Sequence, residues 1–229
     1  MRHCCFRFCA VFASILFLSS CMTLSTFNKL VDAKITKDDI KPVQVPFENI
    51  IVRSESPLYT ESAFVSKKNA SYFLPLFFYW QKVDKIECRV NSKYFENLLL
   101  VAFKEVDNEF DLGQYLKDRN LEVMINTVPD KFVYDDRYYG LTTAVCYSLY
   151  YKKVKPVNKK LRITFNVLEN SRLLKTVVYD QEIVADMVYQ NYDTDEPGKY
   201  MITDYLGVLR ANYISHCQKA ILKLIDELS

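Results

Sequence analysis

The chain has 229 residues, of which 50% are hydrophobic and 25% charged, with 30 basic and 28 acidic side chains. This near balance excludes the strongly basic surface typical of proteins that bind nucleic acids. With four glycines and two histidines, the sequence contains neither a glycine-rich phosphate loop nor a histidine and cysteine cluster spaced for zinc. We therefore expect no nucleic-acid partner, no cofactor and no bound metal.

The first twenty residues have the pattern of a secretory signal peptide. Arg2 and Arg7 form a basic start, residues 8–18 are almost entirely apolar, and small residues follow. A short apolar core of this kind is typical of a signal sequence rather than of a membrane span. An uncleaved anchor over residues 8–28, which carry no charge, is the alternative, although serines and threonines make its second half polar.

The end of this signal, Leu18-Ser19-Ser20-Cys21, resembles the lipobox of bacterial lipoproteins. The resemblance implies that residues 1–20 are removed and that Cys21 becomes the lipid-modified N-terminus, which carries fatty acids such as palmitate. Stable attachment takes two or more acyl chains. The chain is then expected in the cell envelope, anchored to a membrane. Met22 stands where an aspartate retains enteric relatives in the inner membrane, so the outer membrane is preferred.

Removal of residues 1–20 takes away two arginines and leaves 28 basic against 28 acidic residues. Besides Cys21, three cysteines remain, Cys88, Cys146 and Cys217, so at most one internal disulfide can form. Cys88 alternates with Ile86 and Val90. We therefore predict that its thiol is buried and unpaired.

The elements beyond the signal follow in a simple order. Residues 21–47 are predicted to be the lipidated N-terminus and a tether, with a segment packed on the domain as the alternative, and residues 48–229 a single domain. Apolar spacing of three and four residues predicts helices over 92–106 and 203–228, the second capped by Thr203. Alternation and apolar runs predict strands over 50–53, 86–90, 121–127, 143–152, 161–168 and 173–189.

Strands gathered into runs, rather than alternating with helices, favour an α+β fold. We predict an antiparallel sheet of about five to seven strands, with the two main helices, 92–106 and 203–228, packed on one face. This order is similar to that of small envelope lipoproteins that assist lipopolysaccharide assembly and of auxiliary lipoproteins of ABC-type lipid transporters. The resemblance, carried by the lipidated start and by residues 92–106, 121–127, 143–152, 161–168, 173–189 and 203–228, implies an accessory protein without catalytic activity.

An aromatic run at residues 72–80 (YFLPLFFYW) is the feature with the clearest functional interpretation. Phe73, Phe77, Phe78 and Trp80 surround Pro75, which cannot donate to a sheet ladder. An exposed aromatic patch of this kind marks a binding surface for a protein or lipid partner. The structural alternative is an edge strand or loop packed under a helix.

Catalytic patterns are sparse. His216, the one histidine beyond the signal, lies in the C-terminal helix next to its apolar stripe, without a nucleophile at a productive spacing. Acidic residues occur at Asp135, Asp136, Asp193, Asp195 and Glu196. We predict a lipid-anchored, non-catalytic accessory protein. A carboxylate-based hydrolase acting on envelope glycans and a purely structural surface lipoprotein are the alternatives.

Five lysines are concentrated within residues 152–160. We predict that this run decorates a hairpin turn, with contact to anionic lipid head groups as the alternative. Its members are Lys152, Lys153, Lys155, Lys159 and Lys160.

Overall fold

Two four-stranded sheets and four helices form the described part of the chain. The computed structural model describes residues 23–37, 49–54, 59–75, 77–117, 119–143, 146–183 and 198–229. The strands are β1 (Ile50–Ser54), β2 (Glu61–Leu74), β3 (Phe77–Arg89), β4 (Asn120–Thr127), β5 (Lys131–Thr142), β6 (Cys146–Pro156), β7 (Lys160–Glu169) and β8 (Arg172–Glu182). The helices are α1 (Leu24–Lys37), α2 (Ser92–Phe110), α3 (Leu112–Leu116) and α4 (Gly198–Leu228). The predicted α+β class is confirmed.

The prediction of one antiparallel sheet with five to seven strands is wrong. The first sheet has the order β1-β4-β7-β8 and the second the order β2-β3-β5-β6. β1 runs parallel to β4, and the other pairings are antiparallel. The pairing of β3 with β5 is formed by residues some fifty positions apart in the chain, and no local sequence pattern records such a contact.

The first sheet follows its sequence pattern closely. β7 buries Leu161, Ile163, Phe165 and Val167 and turns the residues between them away from the core. Because successive side chains of a strand point to opposite faces, this period of two produces one apolar and one polar face. The apolar face is continued by β4 through Leu121, Val123 and Ile125.

Helix α2 begins at Ser92, as predicted, and ends later than expected. The side chain of Asn91 accepts a hydrogen bond from the Tyr94 backbone N–H at 2.9 Å, which satisfies a donor of the first turn. The helix continues to Phe110 rather than 106, and Asp111 terminates it in a left-handed conformation.

Helix α4 begins at Gly198, so Thr203 lies inside the helix and is not its cap. The additional residues extend the apolar stripe, because Met201 and Ile202 are buried. The apolar positions at helical spacing on which the prediction rests are all buried, namely Leu206, Leu209, Tyr213, Cys217, Ala220 and Leu224. The helix contacts β6 of the second sheet and β8 of the first, so the predicted packing on one face of one sheet is also wrong.

Helix α1 replaces most of the predicted tether. Residues 24–37 form a helix whose side chains Phe27, Val31 and Ile35 lie in the core. The Phe27 ring lies 5.9 Å from that of Tyr134 and 6.2 Å from that of Phe132, centroid to centroid. The alternative of a segment packed on the domain therefore holds for α1, and Cys21 lies outside the described residues.

A single cluster of buried side chains joins both sheets to α1, α2 and α4. Cys88 and Cys217 belong to it as free thiols with no exposed surface, which confirms the prediction for Cys88. Burial raises the pKa of Cys88 to about 12, so the thiol stays protonated. The side chain of Cys146 is outside the described part of the structure.

Candidate functional site

The aromatic run lies at the end of the second sheet that is farthest from the core. Phe73 is the last residue but one of β2, Pro75 lies in the turn, and Phe77, Phe78 and Trp80 lie at the start of β3. Phe73 is 80% exposed and Phe77 49%, while Phe78 and Trp80 are half-buried. The run is therefore a hairpin tip. β2 is an outer strand of its sheet, as one form of the structural alternative predicted, but the exposure of Phe73 and Phe77 shows that no described helix covers the tip.

Neighbouring strands extend this tip into a row of five aromatic rings on one face of the sheet. The ring centroids of Phe73 and Phe78 lie 6.5 Å apart, and those of Phe78 and Trp80 lie 5.2 Å apart in a stacked arrangement. The row continues to Tyr138 at 6.0 Å from Trp80 and then to Tyr150 at 4.4 Å. These separations are those of interacting aromatic pairs, so the four strands are joined by one aromatic ladder.

Gly140 makes room for the centre of this row. It lies directly opposite Trp80 in the β3–β5 pairing, and a Cβ atom at position 140 would overlap the indole ring at Cε2 and Cζ2. The indole therefore occupies the space that a side chain at position 140 would need. Such a cross-strand pair of an aromatic residue and a glycine is a recognised stabilising device in sheets.

The opposite face of the tip is also apolar. Tyr72 and Tyr79 stack at 6.1 Å, and Tyr72 is 63% exposed. Tyr147 is 62% exposed, and the face is completed by further exposed side chains, those of Leu74, Phe77, Leu141 and Leu149. Exposed apolar surface on two faces of one sheet end is unusual for a free surface.

At this end of the sheet, the four strands carry no charged residue. Residues 69–81 and 138–151 contain no Asp, Glu, Lys, Arg or His, and the pairing of β3 with β5 brings the two runs side by side. We name the described residues of these two runs the uncharged end. The sequence predicted one half of it, and the other half was detectable as a second run without charge.

A belt of charged residues lies immediately below the uncharged end. Four successive rows of the sheet, those of Lys82 to Lys85 in β3, hold seven basic and three acidic side chains. We name this set the basic belt, and it comprises Lys67, Lys68, Lys82, Lys85, Arg137, Lys152 and Lys153 with Asp84, Asp135 and Asp136. The predicted lysine run therefore lies partly along β6 rather than in a turn.

Ion pairs order part of the belt. Lys82 Nζ lies 3.0 Å from Asp84 Oδ2, and Arg137 binds both oxygens of Asp135. Asp136 lies opposite Asp84 in the β3–β5 pairing. Burial raises the pKa of Asp136, an effect that Lys152 and Lys82 oppose and Asp84 reinforces. The belt nevertheless has seven basic and three acidic residues, an excess of four basic residues.

The remaining candidate residues lie apart from this end. His216 Nδ1 hydrogen-bonds the Tyr179 hydroxyl at 2.8 Å, and burial lowers its pKa. The adjacent Cys217 is fully buried, and its pKa is raised by burial. Asp193, Asp195 and Glu196 lie outside the described residues. A shallow groove between α1, α2 and α4 is lined by Lys34, Glu105, Arg210 and Gln218.

Two further observations concern metals and membranes. Within the ranges that the structure describes, no three His, Cys, Asp or Glu side chains are grouped closely enough to hold a metal ion. Among those same residues, no helix combines the length and apolarity needed to cross a bilayer.

Comparison with known proteins gives no relative. The chain matches no family model, no curated protein and no solved structure. Its function therefore has to be argued from its own residues.

Proposed function

We propose that this chain is a lipid-anchored, non-catalytic accessory protein of the bacterial cell envelope, which binds an envelope protein or a lipid through its uncharged end. The observation that carries the proposal is the exposed aromatic surface around Phe73 and Phe77, built over a fitted indole and glycine pair. Maintaining such a surface in water is unfavourable, and its usual explanation is a binding partner.

The anchor is supported by sequence. Residues 8–18 are an apolar signal core, and Leu18-Ser19-Ser20-Cys21 resembles a lipobox. Membership of the lipopolysaccharide-assembly or ABC-transport auxiliary lipoproteins, and location in the outer membrane, are parts of the same proposal. They rest on the order of elements and on Met22.

Replacement of Cys21 tests the first half of the proposal, the lipid anchor. The wild-type precursor should incorporate a labelled fatty acid and lose residues 1–20, whereas Cys21→Ser should do neither, because the acylated atom is absent. Cys146→Ser is the matched control and should be labelled like wild type. Labelling of the Cys21→Ser protein would contradict the lipoprotein assignment.

Crosslinking in bacterial envelopes tests the second half of the proposal, the binding of a partner by the uncharged end. Phe77→Asp places a charge on the uncharged end at a half-exposed position, whereas Leu173→Asp does so at an exposed position of β8. Loss of crosslinked partner or lipid in the first variant alone is expected. Equal capture by both variants, with unchanged thermal stability, would leave the purely structural lipoprotein as the better description.

One observation favours a second candidate, a carboxylate-based hydrolase. Asp84 and Asp136 are cross-strand partners, and burial raises the pKa of Asp136, which is how acid and base pairs are differentiated in glycosidases. Lys82 pairs with Asp84 at 3.0 Å, so the same arrangement serves as a structural ion pair. Release of reducing sugar from cell-wall glycan by wild type but not by Asp136→Asn would support the enzyme.

A further inference from the structure

We propose that the uncharged end is a membrane contact, which enters the head-group layer of a bilayer that contains anionic lipids while the basic belt faces the lipid phosphates. This inference rests on the proposed function and names the partner of the same surface. It gives the protein a second attachment to the membrane besides the lipid at Cys21.

The distribution of apolar surface favours a bilayer over a protein. Phe73 is exposed on one face of the sheet, while Tyr72, Phe77 and Tyr147 are exposed on the other. A single docked protein surface covers one face of a sheet, whereas a bilayer interface surrounds whatever enters it. The composition agrees, because tyrosine and tryptophan are the residues enriched at membrane interfaces.

The height of the uncharged end fits the thickness of the head-group layer. Five rows, from the Leu74–Phe77 pair to the Ala70–Gln81 pair, lie above the first charged row. At a rise of about 3.4 Å per residue these rows span roughly 14 Å. Interfacial segments bury their apolar face about 5–10 Å into the boundary between head groups and acyl chains, so this end can enter that layer before the belt reaches the phosphates.

The charge of the belt complements an anionic surface. Seven basic side chains against three acidic ones lie just below the apolar rows, and basic residues next to an apolar element are attracted to anionic lipid. Lys67 and Lys68 are exposed on the outer strand of the sheet. Their long side chains can reach the phosphates while their stems cover apolar surface.

The sheet edges limit the depth of insertion. β2 and β6 are the outer strands of the second sheet, so on one side each of them borders no further strand of the described residues. Unpaired backbone groups are not tolerated in the hydrocarbon core. The contact is therefore with the hydrated interface, and the end does not cross the bilayer.

The path of the chain toward its proposed anchor allows both attachments to reach one membrane. Helix α1 starts at the second sheet, where Phe27 packs on Phe132 and Tyr134, and Tyr134 is two residues from Asp136 of the belt. Only Met22 separates Cys21 from Thr23, the first described residue. The proposed lipid attachment is therefore six residues along the chain from Phe27, whose ring packs on Tyr134 in the row next to the belt.

Trp80, the one tryptophan of the chain, makes the test direct. The full-length lipidated protein is reconstituted into vesicles of phosphatidylcholine and phosphatidylglycerol, with and without bromine on the acyl chains. Bromine quenches indole fluorescence at short range. We expect brominated lipid to quench the fluorescence of Trp80. We also expect the emission maximum of Trp80 in vesicles to lie at a shorter wavelength than that of the protein in buffer without lipid or detergent.

Variants separate insertion from mere proximity. Phe77→Asp should abolish the quenching while Leu173→Asp, a charge at a distant exposed position, should leave it unchanged. Lys67→Gln with Lys68→Gln should reduce quenching in vesicles that contain phosphatidylglycerol, whereas the exposed control pair Lys104→Gln with Lys117→Gln should not. Circular dichroism melts establish that each variant is folded.

Failure is distinguishable from failure of the proposed function. If wild type incorporates fatty acid but Trp80 remains unquenched, the membrane contact is overturned while the anchor stands. An unquenched Trp80 combined with crosslinking of the uncharged end to an envelope protein assigns the surface to that protein. Crosslinking to a second copy of the chain, with a dimer in solution, assigns it to self-association.

Discussion

The two ends of the second sheet carry similar side chains in opposite surroundings. At one end Ile86, Phe132 and Tyr134 are almost completely buried, and at the other Phe73, Tyr72 and Tyr147 are largely exposed. The difference is that α1 and α4 pack on the first end, through Phe27 and Tyr205. Apolar residues are thus necessary for a core but do not create one, because an element must also be available to cover them.

The largest expected effect is a difference in stability between variants at the buried end of the sheet and variants at the exposed end. Phe132→Ala removes a fully buried ring and should lower the free energy of unfolding by about 3–5 kcal/mol. Phe73→Ala removes a ring of the same size that is 80% exposed and should change it by less than about 0.5 kcal/mol. Urea denaturation of both variants measures the difference. Equal destabilisation would show that the uncharged end is covered in the folded protein.

An intermediate effect is expected within the uncharged end itself. Gly140→Ala forces the Trp80 ring from its position and should cost about 1–3 kcal/mol, as overpacking does. The same substitution in a Trp80→Ala background should cost much less, because the obstructing ring is gone. The four proteins of this double-mutant cycle are compared by thermal melts. Additive losses would mean that the ring does not lie over residue 140.

The smallest effect concerns the belt between the two ends. Since burial raises the pKa of Asp136 above its ordinary value of 3.8, the folded state retains a proton that the unfolded chain has already released. As the pH rises from that value, this group therefore lowers the free energy of unfolding. Asp136→Asn removes the dependence, so the variant should gain stability relative to wild type between pH 3.8 and neutrality. A difference that is constant with pH would place Asp136 in a solvated environment.

Sequence patterns predicted those elements whose burial is one-sided. β7 and α4 each have one face in the core, and their periods of two and of three to four residues record it. In the halves of β2 and β5 that lie toward the uncharged end, the two faces do not differ in polarity, so apolar and polar residues do not alternate along the sequence. These two strands were therefore not predicted. Helix α1 could have been predicted, since Leu24, Phe27, Val31 and Ile35 recur at helical spacing among polar residues.

The candidate surface was half predictable for a related reason. The run from Phe73 to Trp80 is visible as an aromatic sequence, but its neighbours Tyr138, Gly140 and Tyr150 join it only through the pairing of β3 with β5. That pairing connects two distant hairpins, β2–β3 and β5–β6. Local composition holds no record of it.

Helix α1 makes the N-terminal segment a structural part of the domain, and this changes what a protease can achieve. A single cut within residues 38–48 would sever α1 from the rest of the chain, yet Phe27, Val31 and Ile35 would remain seated in the core. With the proposed lipid on Cys21, the N-terminal fragment would then hold the cleaved domain at the membrane through these buried contacts. If Cys21 carries the proposed lipid, release from the membrane would therefore require local unfolding of the domain as well as hydrolysis of the chain.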